Sequence, residues 1–145
     1  MDWTPLDLRN LAALFDDMAD AVLAYRKQNG ASLSDSEKLQ LTTEFGQLIS
    51  SAETVEHLAV AGALSGVDTD VKDLQSASHD AIAALKTITE VQKVVTIAVA
   101  AVALGAAIAA PTPGTIAAAL GVLVQAVKNP TAPPTVPTAA KPSAP

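Results

Sequence analysis

Side chains that could do chemistry are few in this chain, and their spacing does not bring them together. His57 and His79 are the only imidazoles. Glu53, Glu56 and Asp80 stand near them, and two imidazoles with a carboxylate form a minimal zinc set. Neither histidine belongs to an HExxH or comparable spacing, so a metal-dependent enzyme built on this pair is the weakest reading; both histidines read as solvated helix-face residues. Glu53 and Glu56, and Asp16, Asp17 and Asp20, read the same way. There is no Gly-rich phosphate loop, serine elbow or paired-carboxylate motif. With no cysteine in the chain, thiolate chemistry and a disulfide framework are excluded. The sequence thus leads us to expect a protein that is not an enzyme and that uses no metal or cofactor.

What the sequence does concentrate is apolarity. From Val94 to Val127 no residue is charged, and Lys93 and Lys128 bracket the stretch. It reads as two apolar arms, 94–110 and 116–128, around a turn carrying Pro111, Pro113 and Gly114, with Thr115 placed to cap the second arm. That pattern predicts a hydrophobic helical hairpin. Its large apolar residues are Val94, Val95, Ile97, Val99, Val102, Leu104 and Ile108 on the first arm. On the second they are Ile116, Leu120, Leu123 and Val127. Small residues recur along both arms, Ala101, Gly105 and Ala109, then Ala117 and Gly121, as in helix pairs whose backbones approach closely.

The rest of the chain contrasts with this stretch. All fifteen acidic residues lie at or before Glu90, and the net charge is −6. No basic stripe is present to neutralise phosphates, which excludes nucleic acid as a partner. The start, MDWTPLDLRN, lacks the basic beginning and apolar run of a signal peptide, so synthesis in the cytosol without a cleaved signal is expected.

Three amphipathic seams precede or run into the hairpin and predict antiparallel helices over about 5–29, 35–64 and 69–110, in a bundle or coiled-coil arrangement. Thr4, Pro5 and Asp7 start the first, with Trp3 and Leu8 placed as a hydrophobic staple. Its seam is Leu8, Leu11, Phe15, Met18, Val22 and Tyr25, and Asn29-Gly30 predicts a left-handed end. Ser34 to Glu37 is a capping box for the second helix, whose seam is Leu41, Phe45, Leu48, Ala52, Val55 and Ala59; Ser65-Gly66 should break it. Asp68 is the expected cap of the third, whose seam runs Leu74, Ser78, Ala81, Leu85, Ile88, Gln92 and Val95. Nothing obvious stops that helix before Pro111. The organisation expected is an acidic amphipathic body, 1–93, the hairpin, 94–128, and a disordered Pro/Ala-rich tail, 129–145.

Each hairpin arm is short for a ~30 Å hydrocarbon core and rich in alanine, which describes a marginal inserter that stays soluble while covered. The all-α outline, a helical body with an apolar hairpin, resembles α-helical pore-forming toxins and phage holins. That resemblance implies a lipid bilayer as partner, membrane-associated localisation, homo-oligomers or partner helices, and permeabilisation. If the hairpin inserts, Lys86, Lys93, Lys128 and Lys141 hold its open end on the side of origin while the uncharged tip crosses. The alternative is a non-catalytic structural or scaffold bundle whose hairpin packs in its own core or against a partner.

Overall fold

Thr4 and Asp7 exchange hydrogen bonds at the head of the first helix. The Asp7 N–H donates to Thr4 Oγ1 at 3.1 Å, and the Thr4 N–H donates to Asp7 Oδ2 at 2.9 Å. This capping box, with Pro5 at the first helical position, starts α1 (Pro5–Gln28) in the computed structural model, which describes residues 3–62, 69–110 and 114–129. Every member of the α1 seam is buried. Its end is not left-handed: Asn29 has φ −113°, and its backbone N–H and side-chain amide both donate to the Tyr25 carbonyl at 3.0 Å. A short 3₁₀ turn, Gly30–Ser32, then carries the chain to the next helix, so Gly30 is needed for no left-handed step.

The Ser34–Glu37 capping box opens α2 (Asp35–Ala61), which ends at Gly62 with φ 127°, ahead of the expected Ser65-Gly66 break, itself outside the described residues. α3 (Val71–Thr87) is capped by Asp70, whose side chain accepts from the Lys72 N–H at 3.0 Å; Asp68, the expected cap, lies outside the described residues. α4 (Val91–Ala109) and α5 (Thr115–Lys128) complete the all-α fold. Gly114, at φ 82°, takes the cap position of α5, and Thr115 is its first helical residue rather than its cap. Pro111, Pro113 and the tail from Pro130 onward lie outside the described residues.

The expected continuous helix from 69 to 110 is two helices. Ile88 (φ −72°, ψ 141°) and Glu90 (φ −107°, ψ 127°) are extended, separating α3 from α4. Thr87, Ile88 and Thr89 form a β-branched run, which loses side-chain freedom in a helix and fits extended backbone. Tertiary contact then fixes the break: the buried Tyr25 hydroxyl donates to the Thr89 carbonyl at 2.9 Å. Gln92 and Val95 therefore belong to a different helix from Leu74 and Leu85.

Three long-range bonds give the helix directions. Arg26 Nε, at the end of α1, donates to the Lys38 carbonyl in the first turns of α2 at 3.3 Å, so α2 runs back along α1. Trp3 Nε1, ahead of α1, donates to the Thr69 carbonyl ahead of α3 at 3.0 Å, while Tyr25 and Thr89 join the far ends of the same helices. α1 and α3 are thus parallel neighbours, and successive helices alternate in direction. Around the bundle the neighbours run α1, α2, α4, α5, α3 and back to α1, with α4 also touching α1 and α3. One hydrophobic core draws on all five helices and on Trp3, which is fully buried. Trp3 is thereby tied to the approach to α3.

Candidate functional site

α4 and α5 bury the larger residues of the apolar stretch and leave the smaller ones outside. Val94, Val95, Ile97, Leu104, Ile108, Ile116 and Leu123 are buried, and Val99, Val102, Leu120 and Val127 are partly buried against the core. The outward faces carry Ala103, Ala106 and Ala109 on α4 and Ala117, Ala118 and Gly121 on α5. Alanine offers little area to water, so this face costs little when exposed. α4 is 19 residues long, about 28 Å at ~1.5 Å per residue, and by length and composition alone it is apolar enough to cross a bilayer. Half of that span is buried within the bundle. α5, at 14 residues, is shorter than such a span.

The close helix approach is not the one expected. Gly105 meets α2: a Cβ at that position would lie 2.7 Å from Ser51 Cβ and 3.5 Å from the Phe15 ring. Gly121, the expected partner of Gly105, is exposed and would place a Cβ in open space. Ala109 and Ala117 are exposed as well, and only Ala101 joins Gly105 inside. The small residues of α4 thus fit the α2 surface, while those of α5 face out. Recurrence of small residues shows where a backbone can approach closely; it does not name the partner helix.

One feature of that contact escaped the seam. Glu44 is buried, whereas Phe45, the expected seam member, is only partly so. Glu44 precedes Ser51 by two helical turns and shares its stripe, which faces α4. Glu44 Oε1 has no hydrogen-bond partner, and burial pushes its carboxyl above the ordinary value of 4.5. The spacing Leu41–Glu44–Leu48 keeps three-four periodicity as well as Leu41–Phe45–Leu48 does, and hydrophobicity favoured the second. Ser78 Oγ is likewise buried without a partner in the α3 seam.

His57 and His79 both sit on exposed faces, and among the described residues no group of three or more His, Asp or Glu side chains forms a metal-binding cluster. Asp16 is raised above its ordinary carboxylate range, first by partial burial and then by Asp20, Glu56, Asp17 and Glu53, an acidic face shared by α1 and α2. Two recesses flank the bundle. One of about 430 Å³ lies where α1 ends beside the α3–α4 joint, lined by Tyr25, Gln28, Asn29, Lys86 and Thr89 among others. The other, about 570 Å³, lies between the head of α3, at Asp70 and Asp73, and α5, at Leu120 and Val124. Neither gathers groups for acid–base or nucleophilic work. Comparison with protein-family models, curated proteins and solved structures finds no match to this chain.

Proposed function

We propose that this protein associates with a lipid bilayer by releasing α4 and α5 from the bundle into the hydrocarbon, and that its sharpest activity is permeabilisation by several copies together. The observation carrying this reading is the charge-free run from Val94 to Val127, which takes in all but the first three residues of the 19-residue helix Val91–Ala109, long and apolar enough to span. In the closed bundle the large side chains of the hairpin are already away from water, so entry into lipid exchanges one apolar surrounding for another. The exposed alanine face keeps the closed form soluble until a membrane is met.

A scaffold protein with a permanently closed core is the second reading. The fit of Gly105 against Ser51 and the full burial of Ile97, Leu104 and Ile108 favour it. Ala103→Asp separates the two. Ala103 is exposed in the bundle, so the closed form should keep its melting temperature. At the centre of an inserted α4 the same carboxylate costs about 3 kcal/mol. Dye release from liposomes, run with wild type and Ala103→Asp, should be lost in the variant. Wild type that neither floats nor releases dye, with an unchanged melt in the variant, establishes the scaffold reading instead.

A further inference from the structure

The alternating helix directions gather most of the chain's bases at one end of the bundle. Arg26 and Lys27 close α1, Lys38 lies in the first turns of α2, Lys86 closes α3 and Lys93 opens α4. Direct contacts support this placement. Arg26 bonds to the Lys38 backbone, Tyr25 bonds to Thr89, and Lys86 lines the recess that Tyr25 and Thr89 share. Only three carboxylates, Asp35, Glu37 and Glu90, belong to the same end. Among the described residues the only ion pair is Lys93 with Glu90, at 3.2 Å. The remaining acids sit along the helices and at the other end, with Asp16, Asp17, Asp20, Glu53 and Glu56 on the α1–α2 face. An acidic protein thereby carries a basic pole.

Helix dipoles account for part of this pole. Bases in the last turns of α1 and α3 complement the negative ends of those helices. They do not account for Lys38 and Lys93, which lie near the positive ends of α2 and α4, where a cation is disfavoured. Lys93 also stands at the start of the apolar stretch, so a surface that binds this pole sits where α4 begins.

We infer that the basic pole formed by Arg26, Lys27, Lys38, Lys86 and Lys93 is a docking surface for an anionic phospholipid leaflet, which holds the closed bundle upright with the start of α4 at the headgroups. The inference rests on the membrane reading of the hairpin. Screening makes it workable for a chain of net charge −6. Standing on this end, α1 rises about 36 Å, so most of its acids lie beyond a Debye length of ~8 Å from the lipid. A bundle lying on its acidic face is repelled, which leaves one orientation.

Flotation with vesicles of phosphatidylglycerol and phosphatidylcholine, against phosphatidylcholine alone, tests the pole directly. Wild type should prefer the anionic vesicles and lose them as salt rises. Lys27→Gln with Lys86→Gln removes two exposed bases from the pole, and affinity should fall by roughly 25-fold, about fivefold for each. Arg9→Gln with Lys72→Gln makes the same change in net charge toward the opposite end and should bind as wild type does. Equal loss in both pairs, no loss in either, or equal binding to neutral vesicles overturns the inference. Tighter binding to a DNA duplex than to anionic vesicles overturns it too. Ala103→Asp keeps the hairpin question separate: salt-sensitive flotation retained without dye release supports docking ahead of insertion. Salt-sensitive flotation with dye release unaffected by Ala103→Asp leaves the pole standing and removes the hairpin reading.

Discussion

Two glycines and one glutamate carry the sharpest tests at the scale of single residues. At Gly105 the nearest obstacles to a side chain are Ser51 Oγ and Ser51 Cβ, the latter held close to the α2 backbone, so Gly105→Leu should overpack the α2–α4 contact. A loss of about 1–3 kcal/mol in thermal or urea unfolding is expected. Gly121→Ala should act in the opposite direction, gaining about 0.5–1 kcal/mol of helix propensity because nothing opposes the added methyl. If Gly121→Ala were the more damaging change, α5 would be packed against something on its outer face. Glu44 sets the pH behaviour. Its folded pKa is raised by burial, so the fold holds the proton more tightly than the unfolded chain does. The stability this contributes is fully present below the unfolded value, near 4.5, and is lost as pH rises through the folded one. Asp16 is shifted in the same direction and adds to the trend. Mild acidification from neutral should therefore raise the melting temperature, and Glu44→Gln should stabilise at pH 7 by about 1 kcal/mol while flattening that rise. A melting temperature that falls steadily from pH 7 toward 5 would contradict the buried placement of Glu44.

Among the elements, the three amphipathic seams were legible because apolar residues recur at three-four spacing and capping boxes mark two of the starts. The α1 seam is buried in full. The join between α3 and α4 was not legible. Thr87, Ile88 and Thr89 only weaken a helix, and the bond that settles the matter comes from Tyr25, far away in sequence. The hairpin arms were legible from the absence of charge, yet which helix each arm faces depends on the three-dimensional order α2, α4, α5, which no local pattern encodes. The basic pole was hidden for the same reason: its residues are scattered until helix directions are known. A proline separates the broken from the continuous helix. Val91 is the first residue of α4 and follows an extended Glu90, a setting proline accepts. Val91→Pro should change stability by no more than about 1 kcal/mol, whereas the interior of a continuous helix would lose ~3 kcal/mol. Urea unfolding of that variant distinguishes the two.

At the scale of the whole molecule, the bundle has a division of roles along and around its axis. One pole is basic, the α1–α2 face is acidic, and the α4–α5 side presents small apolar residues with larger ones tucked behind them. The contacts of α1 with α2 and with α3 do not involve the hairpin, so these three helices would keep shared surfaces in the proposed release of α4 and α5. On the proposed reading the α2–α4 contact, which holds the Gly105–Ser51 approach, would open together with those of α5 with α3 and of α4 with α1 and α3. Such an opening would uncover the buried faces of Ile97, Leu104 and Ile108 on the helix proposed to enter lipid. The most direct test of that opening is the depth of α4 in a bilayer. The chain has no cysteine, so single cysteines at Ala103, on the outer face of α4, and at Ala83, on the outer face of α3, can each carry a fluorophore without competing sites. With liposomes holding quenchers at the bilayer centre, the probe at position 103 should be strongly quenched and that at position 83 should not. Both probes remaining unquenched while the protein stays bound to vesicles would contradict insertion and leave α4 in the core of the bundle.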